Sequence, residues 1–454
     1  MKSAVRTLSG RTSIKSVKRC SNCFNKNVVG ILWIGIASVL LSRIGGILFG
    51  PMLFLPIVLP LVIAGISIFL MFSRERISAS HFYLFSGMLL FSTLALISTI
   101  VNGSGLINWT IDVLLFLGPI IWFAVGTQGV WGTKALKLFT RGFLVISWLH
   151  VFLAYFQAFV LHRDNDHVVG LFVGMGLGAH CAGALAIVLS FYYLYNLLGQ
   201  RRKDGARFPF VVFVLLSFYV VVLADAKQVV VAFFVALGLA MIWTQRYYQA
   251  LRYRVKSWLQ LFLVIGAGVL LGMTIFPALG TWLKFQRLET GLRLKMQVFP
   301  LIFYSFAWWG QFLVGMGPGN TVTKLSFLLD KYWGILSAFG GTPSALKETI
   351  WIVQESHPFT NHITGTSGFS LFFSWAGLWG DLGLFGVTVY GWLWYVIWKM
   401  FPRDDWFSKV LILMALMLGF LFSWLEEPQF MVAIISMLLI HWHELRHNED
   451  SFSA

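Results

Sequence analysis

"HFYLFSGMLLFSTLALISTIV", residues 81–101, contains no Asp, Glu, Lys or Arg. As an α-helix rising 1.5 Å per residue it would reach about 30 Å, the thickness of a bilayer's hydrocarbon core. No water is present at that depth, so a lone segment satisfies its backbone by coiling into a helix. The stretch therefore reads as a transmembrane helix. Similar runs lie near 28–49, 51–73, 111–129, 142–161, 178–198, 208–224, 228–245, 258–279, 370–398, 408–425 and 429–443. The sequence predicts an all-α, polytopic membrane bundle of about twelve helices.

Composition agrees. Of 454 residues, 58% are hydrophobic and only 11% charged, against about 25% charged in soluble chains. A large soluble core is excluded. Cys20 and Cys23 form a lone CxxC without the second pair that a zinc site needs, and Cys181 in an apolar run reads as packing. The net charge of +16 raises nucleic acid as a partner, but the placement of the charge explains it otherwise.

The first 27 residues hold seven Lys/Arg and no acid. They lack the short apolar core of a secretory signal and read as a cytoplasmic tail. With the N-terminus inside, the cytoplasmic loops hold "RER" (74–76), Lys134, Lys137, Arg141, "RRKDGAR" (201–207), Arg246, Arg252, Arg254, Lys256, Lys399, Arg403 and Lys409. The short outer loops hold only Arg163 and Lys227. This is the positive-inside asymmetry, with added attraction to anionic lipid, so nucleic acid is not needed as a partner. The expected organisation is a tail (1–27), helices one to nine (28–279), a large outer loop (280–369), helices ten to twelve (370–443) and a second tail (444–454). Within that loop, "MQVFPLIFYSFAWWGQFLV" (296–314) reads either as another span or as an amphipathic helix at the interface. Pro300, Arg293 and Lys295 favour the interface.

Ionisable residues at the bundle's margins are the chemical candidates. In "VVLADAKQVVV" (221–231), Asp225 and Lys227 sit between two apolar runs. They read as a solvated turn or as a cation displayed to an anionic ligand. Arg287, Arg293 and Lys295 in "KFQRLETGLRLK" (284–295) read as a lipid-facing basic stripe or as phosphate contacts, for which Arg is well shaped. Asp164 and Asp166 make a DxD, with His162 and His167 beside them. Sugar nucleotides, the usual reason for a DxD metal, are absent outside the cytoplasm, and no metal is assigned. "ESHPFTNHITG" (355–365) offers Glu355, His357 and His362. The two His lie five apart with Pro358 between them, so they do not share a helix face, but either can act as a general base. "GLWGDLGLFG" (377–386) carries Asp381, and "WLEEPQF" (424–430) carries Glu426 and Glu427. "GMGPGN" (315–320) resembles a phosphate loop but lacks the Lys-Ser/Thr that a nucleotide loop needs. Gly315, Gly317 and Gly319 read as a sharp turn, with backbone contact to phosphate as the alternative. There is no GxSxG and no HExxH.

Taken in order, "DHVVGLFVGMGLGAH", "ADAKQ", "GLRLKMQVFPLI", "VGMGPGN" and "GLWGDLGLFG" resemble the O-antigen ligase and polymerase superfamily of bacterial envelope glycan enzymes. The resemblance runs from about 160 to 430. It implies a GT-C-like, metal-independent, inverting glycosyltransferase of the inner membrane with its active site in the periplasm and no cofactor. It also implies that 296–314 stays in the outer loop. The donor would be a glycan on undecaprenyl diphosphate and the acceptor another glycan. A chain-length regulator and a flippase are candidate partners. Lys227 takes the place of the family's Arg and Arg293 matches the Arg opening the loop helix; both would contact the diphosphate, with Arg287, Lys295, Gly317 and Gly319 nearby. His362 or His357 would be the acceptor base, with Asp225, Glu355 and Asp381 in reserve. The chain departs from the ligase pattern at "SLFFSWAGLWGD", where Ser370 and Ser374 stand in place of His-Asn. A polymerase is therefore expected before a ligase, and a twelve-helix polysaccharide or lipid transporter is the reading from another class.

Overall fold

The computed structural model describes residues 78–129, 131–164, 167–172, 177–199, 207–245, 285–356 and 371–452, together with Gly30, Trp33 and Thr274. Every regular element among them is helical. The run from which the sequence was read forms α1 (Ala79–Asn102), begun by the Ser78 side chain accepting from His81 N and ended by Gly103 at φ 67°. A left-handed glycine is a common way to end a helix, because no Cβ opposes it. α2 (Leu106–Gly126) returns antiparallel, and α3 (Thr133–Tyr155) widens into a π-helical turn at Phe156–Val160. In that turn Gln157 binds the backbone of Val169 and Gly170, folding the loop back so that Val168 and Phe172 are buried.

α4 (Leu177–Gly199), α5 (Arg207–Leu223) and α6 (Lys227–Gln245) follow. Among the described residues, five helices are long and apolar enough to cross a membrane: Ala79–Asn102, Leu106–Gly126, Thr133–Val160, Gly178–Leu197 and Lys227–Thr244. Pro209–Leu223 and Trp406–Leu421 are shorter apolar helices. The chain is thus a helical membrane protein. The expected spans at 28–49, 51–73 and 258–279 lie outside the described residues except for Gly30, Trp33 and Thr274.

Residues 285–356 make a layer of short helices. These are α7 (Phe285–Met296), α8 (Val298–Tyr304), α9 (Gln311–Val314), α10 (Lys324–Lys331), α11 (Trp333–Leu336) and α12 (Lys347–Ser356). The apolar run 296–314 is therefore broken. Its longest helix, α8, is 7 residues, about 10 Å, a third of what a bilayer crossing needs. The last third of the chain is α13 (Ser374–Met400), α14 (Trp406–Leu421), a 3-10 turn at Trp424–Glu426, and α15 (Pro428–Phe452). α13 is interrupted at Gly383, where φ is 67° and ψ −169°.

The short-helix layer sits on one end of the bundle. Asn108 and Gly105, at the α1–α2 turn, bond Thr342, and Lys324 pairs with Glu427 at the α14–α15 turn. α6 packs along α14 and runs antiparallel to it. Trp243, near its end, meets Trp398, whose carbonyl accepts from Lys409 in the first turn of α14. The start of α6, with Lys227, therefore lies at the same end as the layer.

Candidate functional site

Two glycine-rich motifs that the sequence keeps apart dock on each other. Glycines at 377, 380 and 383 open a groove along one side of α13, and residues 313–323 lie in it. A Cβ on Gly377 would fall 2.7 Å from Thr323, and one on Gly380 would fall 2.6 Å from Thr321. Met316 N donates to Gly380 O (2.8 Å) and Gly317 N to Asp381 O (3.0 Å). Gly315, Gly317 and Gly319 all have positive φ, so "GMGPGN" is the sharp turn that glycine permits.

Asp381 is the anchor. Its Oδ2 accepts from Gly319 N (2.7 Å) and Thr323 Oγ1 (2.8 Å). Its Oδ1 accepts from Thr321 N (2.9 Å) and Thr321 Oγ1 (2.6 Å). Both oxygens are thus committed to the loop, which gives this buried carboxylate an anchoring role. α1 and α2 support the arrangement: from α1, Ser98 Oγ donates to Asp381 O (3.0 Å) and Asn102 Nδ2 to Gly315 O (3.0 Å), and from α2, Asn108 Nδ2 donates to Pro318 O (3.1 Å). Gly319 N–H is spent on Asp381 and Gly317 N–H on its carbonyl, so neither points at a ligand.

The cations gather at this end of the bundle. Lys227 is buried and pairs with Asp225 at 2.7 Å. Asp225 itself sits at φ 47°, a conformation that short polar side chains tolerate, and this turn brings the two side chains together. Lys295 reaches from α7 to the last carbonyl of α14, Leu421 O (2.9 Å), and lies 4.6 Å above the Phe373 ring. A cation there also meets the negative end of the helix dipole. Lys324 bonds Glu427 through Nζ and Glu426 through its backbone N–H. His180 stacks near Phe422 and Trp424.

The remaining candidates fall differently. The Arg293 side chain is 75% exposed and pairs with Glu289 on its own helix, so it faces outward. Arg287 lies on α7, and its side chain is outside the described residues. Glu355 is exposed in the last turn of α12. His357, His362 and Asp166 lie outside the described residues. His162, Asp164 and His167 are exposed, and no metal-holding cluster occurs among the described residues. Sequence reasoning passed over Asn108, Lys324 and His180, and above all Asp112, a lone acid inside an apolar span. A single charge in such a span was a readable signal.

Burial pushes the Lys295 amine down from its ordinary 10.5 to about 7. The folded state therefore holds the charged form at a cost. Below about pH 7 both folded and unfolded chains are protonated and the cost is fully present. Between about 7 and 10.5 the unfolded chain binds more protons, so stability rises with pH. Thermal unfolding in detergent should show wild type gaining stability over that range relative to Lys295→Met. Parallel pH profiles would show that Lys295 is not desolvated in the folded chain.

No protein-family model matches the chain, and no curated protein matches it.

Proposed function

We propose that the chain is a membrane glycosyltransferase of the bacterial inner membrane that polymerises undecaprenyl-diphosphate-linked oligosaccharide repeat units at the periplasmic face. The observation that carries this reading is that Lys227 of the bundle and Lys295 and Lys324 of the short-helix layer lie at the same end of an apolar bundle. A lipid diphosphate is already a good leaving group. It needs cations to bind it and offset the charge that develops as the glycosyl C–O bond breaks. The acceptor hydroxyl attacks the anomeric carbon with inversion and gives its proton to a base. His357 and His362 remain the candidates for that base, with Asp225 and Glu355 in reserve. The reading takes twelve helices, a cytoplasmic N-terminus and a periplasmic loop between helices nine and ten. Transfer of finished glycan, as in a ligase, uses the same chemistry with a different acceptor.

A second reading has support of its own. Asp112 and Glu426 are fully buried and α13 is a broken helix, both features of transporters. The two readings separate in detergent, where no gradient exists. Purified chain given lipid-linked oligosaccharide from the producing strain should form a ladder of longer glycans. Lys227→Ala should cut that ladder about tenfold or more, on the scale of a lost transition-state contact. Wild-type protein that forms no ladder supports the transporter. A ladder unchanged by Lys227→Ala and by Arg293→Ala removes both residues from the diphosphate site.

A further inference from the structure

Asp112 lies in the second turn of α2, is 0% exposed, and has no hydrogen-bond partner on either carboxylate oxygen. α2 packs against the 3-10 turn that carries Glu426, and the charges acting on Asp112 are those of two acids, Asp381 and Glu426. Glu426 is also 0% exposed, and its Oε1 has no partner. The Tyr390 side chain is fully buried in the same region, where its ring packs on Phe116, one turn beyond Asp112.

Among the described residues no cationic side chain forms an ion pair with either acid, although His180 on α4 stacks on Phe422 and Trp424 beside Glu426. Asp381 is committed to four donors in the loop. Lys324, the cation from α10, is bonded to Glu427. α1 and α15 present no ionisable side chain at this end; His81 bonds Thr127 at the other end, and His441 and His443 lie there too. An ionised, unpaired carboxylate in such a place would cost far more than a neutral acid. No group of three or more acidic, His or Cys side chains is placed to hold a metal ion among the described residues. We propose that Asp112 and Glu426 form an internal proton-binding site in which each carboxyl holds an exchangeable proton inside the bundle.

The site is wired to the short-helix layer. Glu426 Oε2 accepts the backbone N–H of Lys324, the first residue of α10, where negative charge is favoured. One carboxyl group thus faces the proton site with one oxygen and the loop layer with the other. Loss of its proton would leave unpaired charge directly beneath that layer. The inference rests on neither functional reading above, because it concerns a bound proton and not the reaction.

Infrared spectroscopy of the purified full chain at pH 7 provides the test. Wild type should show a protonated-carboxyl C=O band that shifts in D2O. The band should fall by about one carboxyl in Asp112→Asn and by about one in Glu426→Gln, and be kept in Asp404→Asn, an exposed control. Asn and Gln mimic the neutral acid, so both variants should keep the wild-type melting temperature. Absence of the band in wild type overturns the proposal, as does a band unchanged in either variant. A sodium-specific rise in wild-type melting temperature that Asp112→Asn abolishes also overturns it, since the bound cation would then be sodium.

Discussion

Asp381→Ala is expected to detach residues 315–323 from α13 and destabilise the chain by roughly 4 kcal/mol. The figure follows from what the carboxylate leaves behind. Gly319 N–H and Thr321 N–H are buried donors fixed by the backbone, and each orphaned donor costs about 1–3 kcal/mol. The Thr321 and Thr323 hydroxyls lose charge-assisted bonds but can rotate towards other acceptors. Thermal unfolding should show a clear fall, and limited proteolysis should begin cutting within 315–356 under conditions where wild type resists. Asp381→Asn should lie between the two, since one carbonyl still accepts while the new NH2 group opposes a donor. A wild-type melt and protease pattern for Asp381→Ala would mean that the loop is held elsewhere. The proteolysis readout separates anchoring from a role in proton transfer, which would leave the loop in place.

The helical membrane character was legible because hydrocarbon thickness imposes a fixed length on apolar runs, and 81–101 or 111–129 match it. Pro300 and its basic neighbours spoke for an interfacial helix over 296–314, but the run breaks at Gln297 and over 305–310, on either side of the helix that holds Pro300. The docking of "GMGPGN" on "GLWGDLGLFG" was not legible. Thr321 and Asp381 are 60 residues apart in sequence, and nothing local says which glycine turn fills which glycine groove. Read separately, the first looked like a phosphate loop and Asp381 like a reserve base; together they are the two halves of one tertiary contact. Asp112 was missed for a different reason. One acid among many apolar residues barely alters the average that marks a span, although its desolvation makes it the costliest residue there. Lys227 and Asp225 read as a solvated turn or a displayed cation, whereas the turn at Asp225 folds the two side chains onto each other and buries Lys227. Lys295 was readable as a cation but not as a buried one. Its burial depends on Phe373 and Leu421, which are remote in sequence.

Gly383→Ala should be at least as damaging as the loss of Asp381, and by a separate route. At φ 67° and ψ −169°, Gly383 occupies a region of backbone space that is essentially closed to residues with a Cβ, and strain there costs about 1–3 kcal/mol. The space is also taken. An added Cβ would lie 2.2 Å from the carbonyl carbon of Leu313 and 2.5 Å from Val314 N. These are backbone atoms of α9 and cannot swing aside as a side-chain tip would. Either α9 leaves the groove or the break in α13 is lost, and both outcomes undo the contact that seats "GMGPGN". Gly391 is the matched control. It lies on the same helix with nothing within 4 Å of its added Cβ, and Gly to Ala inside a helix is worth about 1 kcal/mol in favour of alanine. Gly391→Ala should therefore melt at or above the wild-type temperature, while Gly383→Ala melts well below it and exposes 315–356 to protease. If the two variants behave alike, the break in α13 is not what holds the loop layer to the bundle.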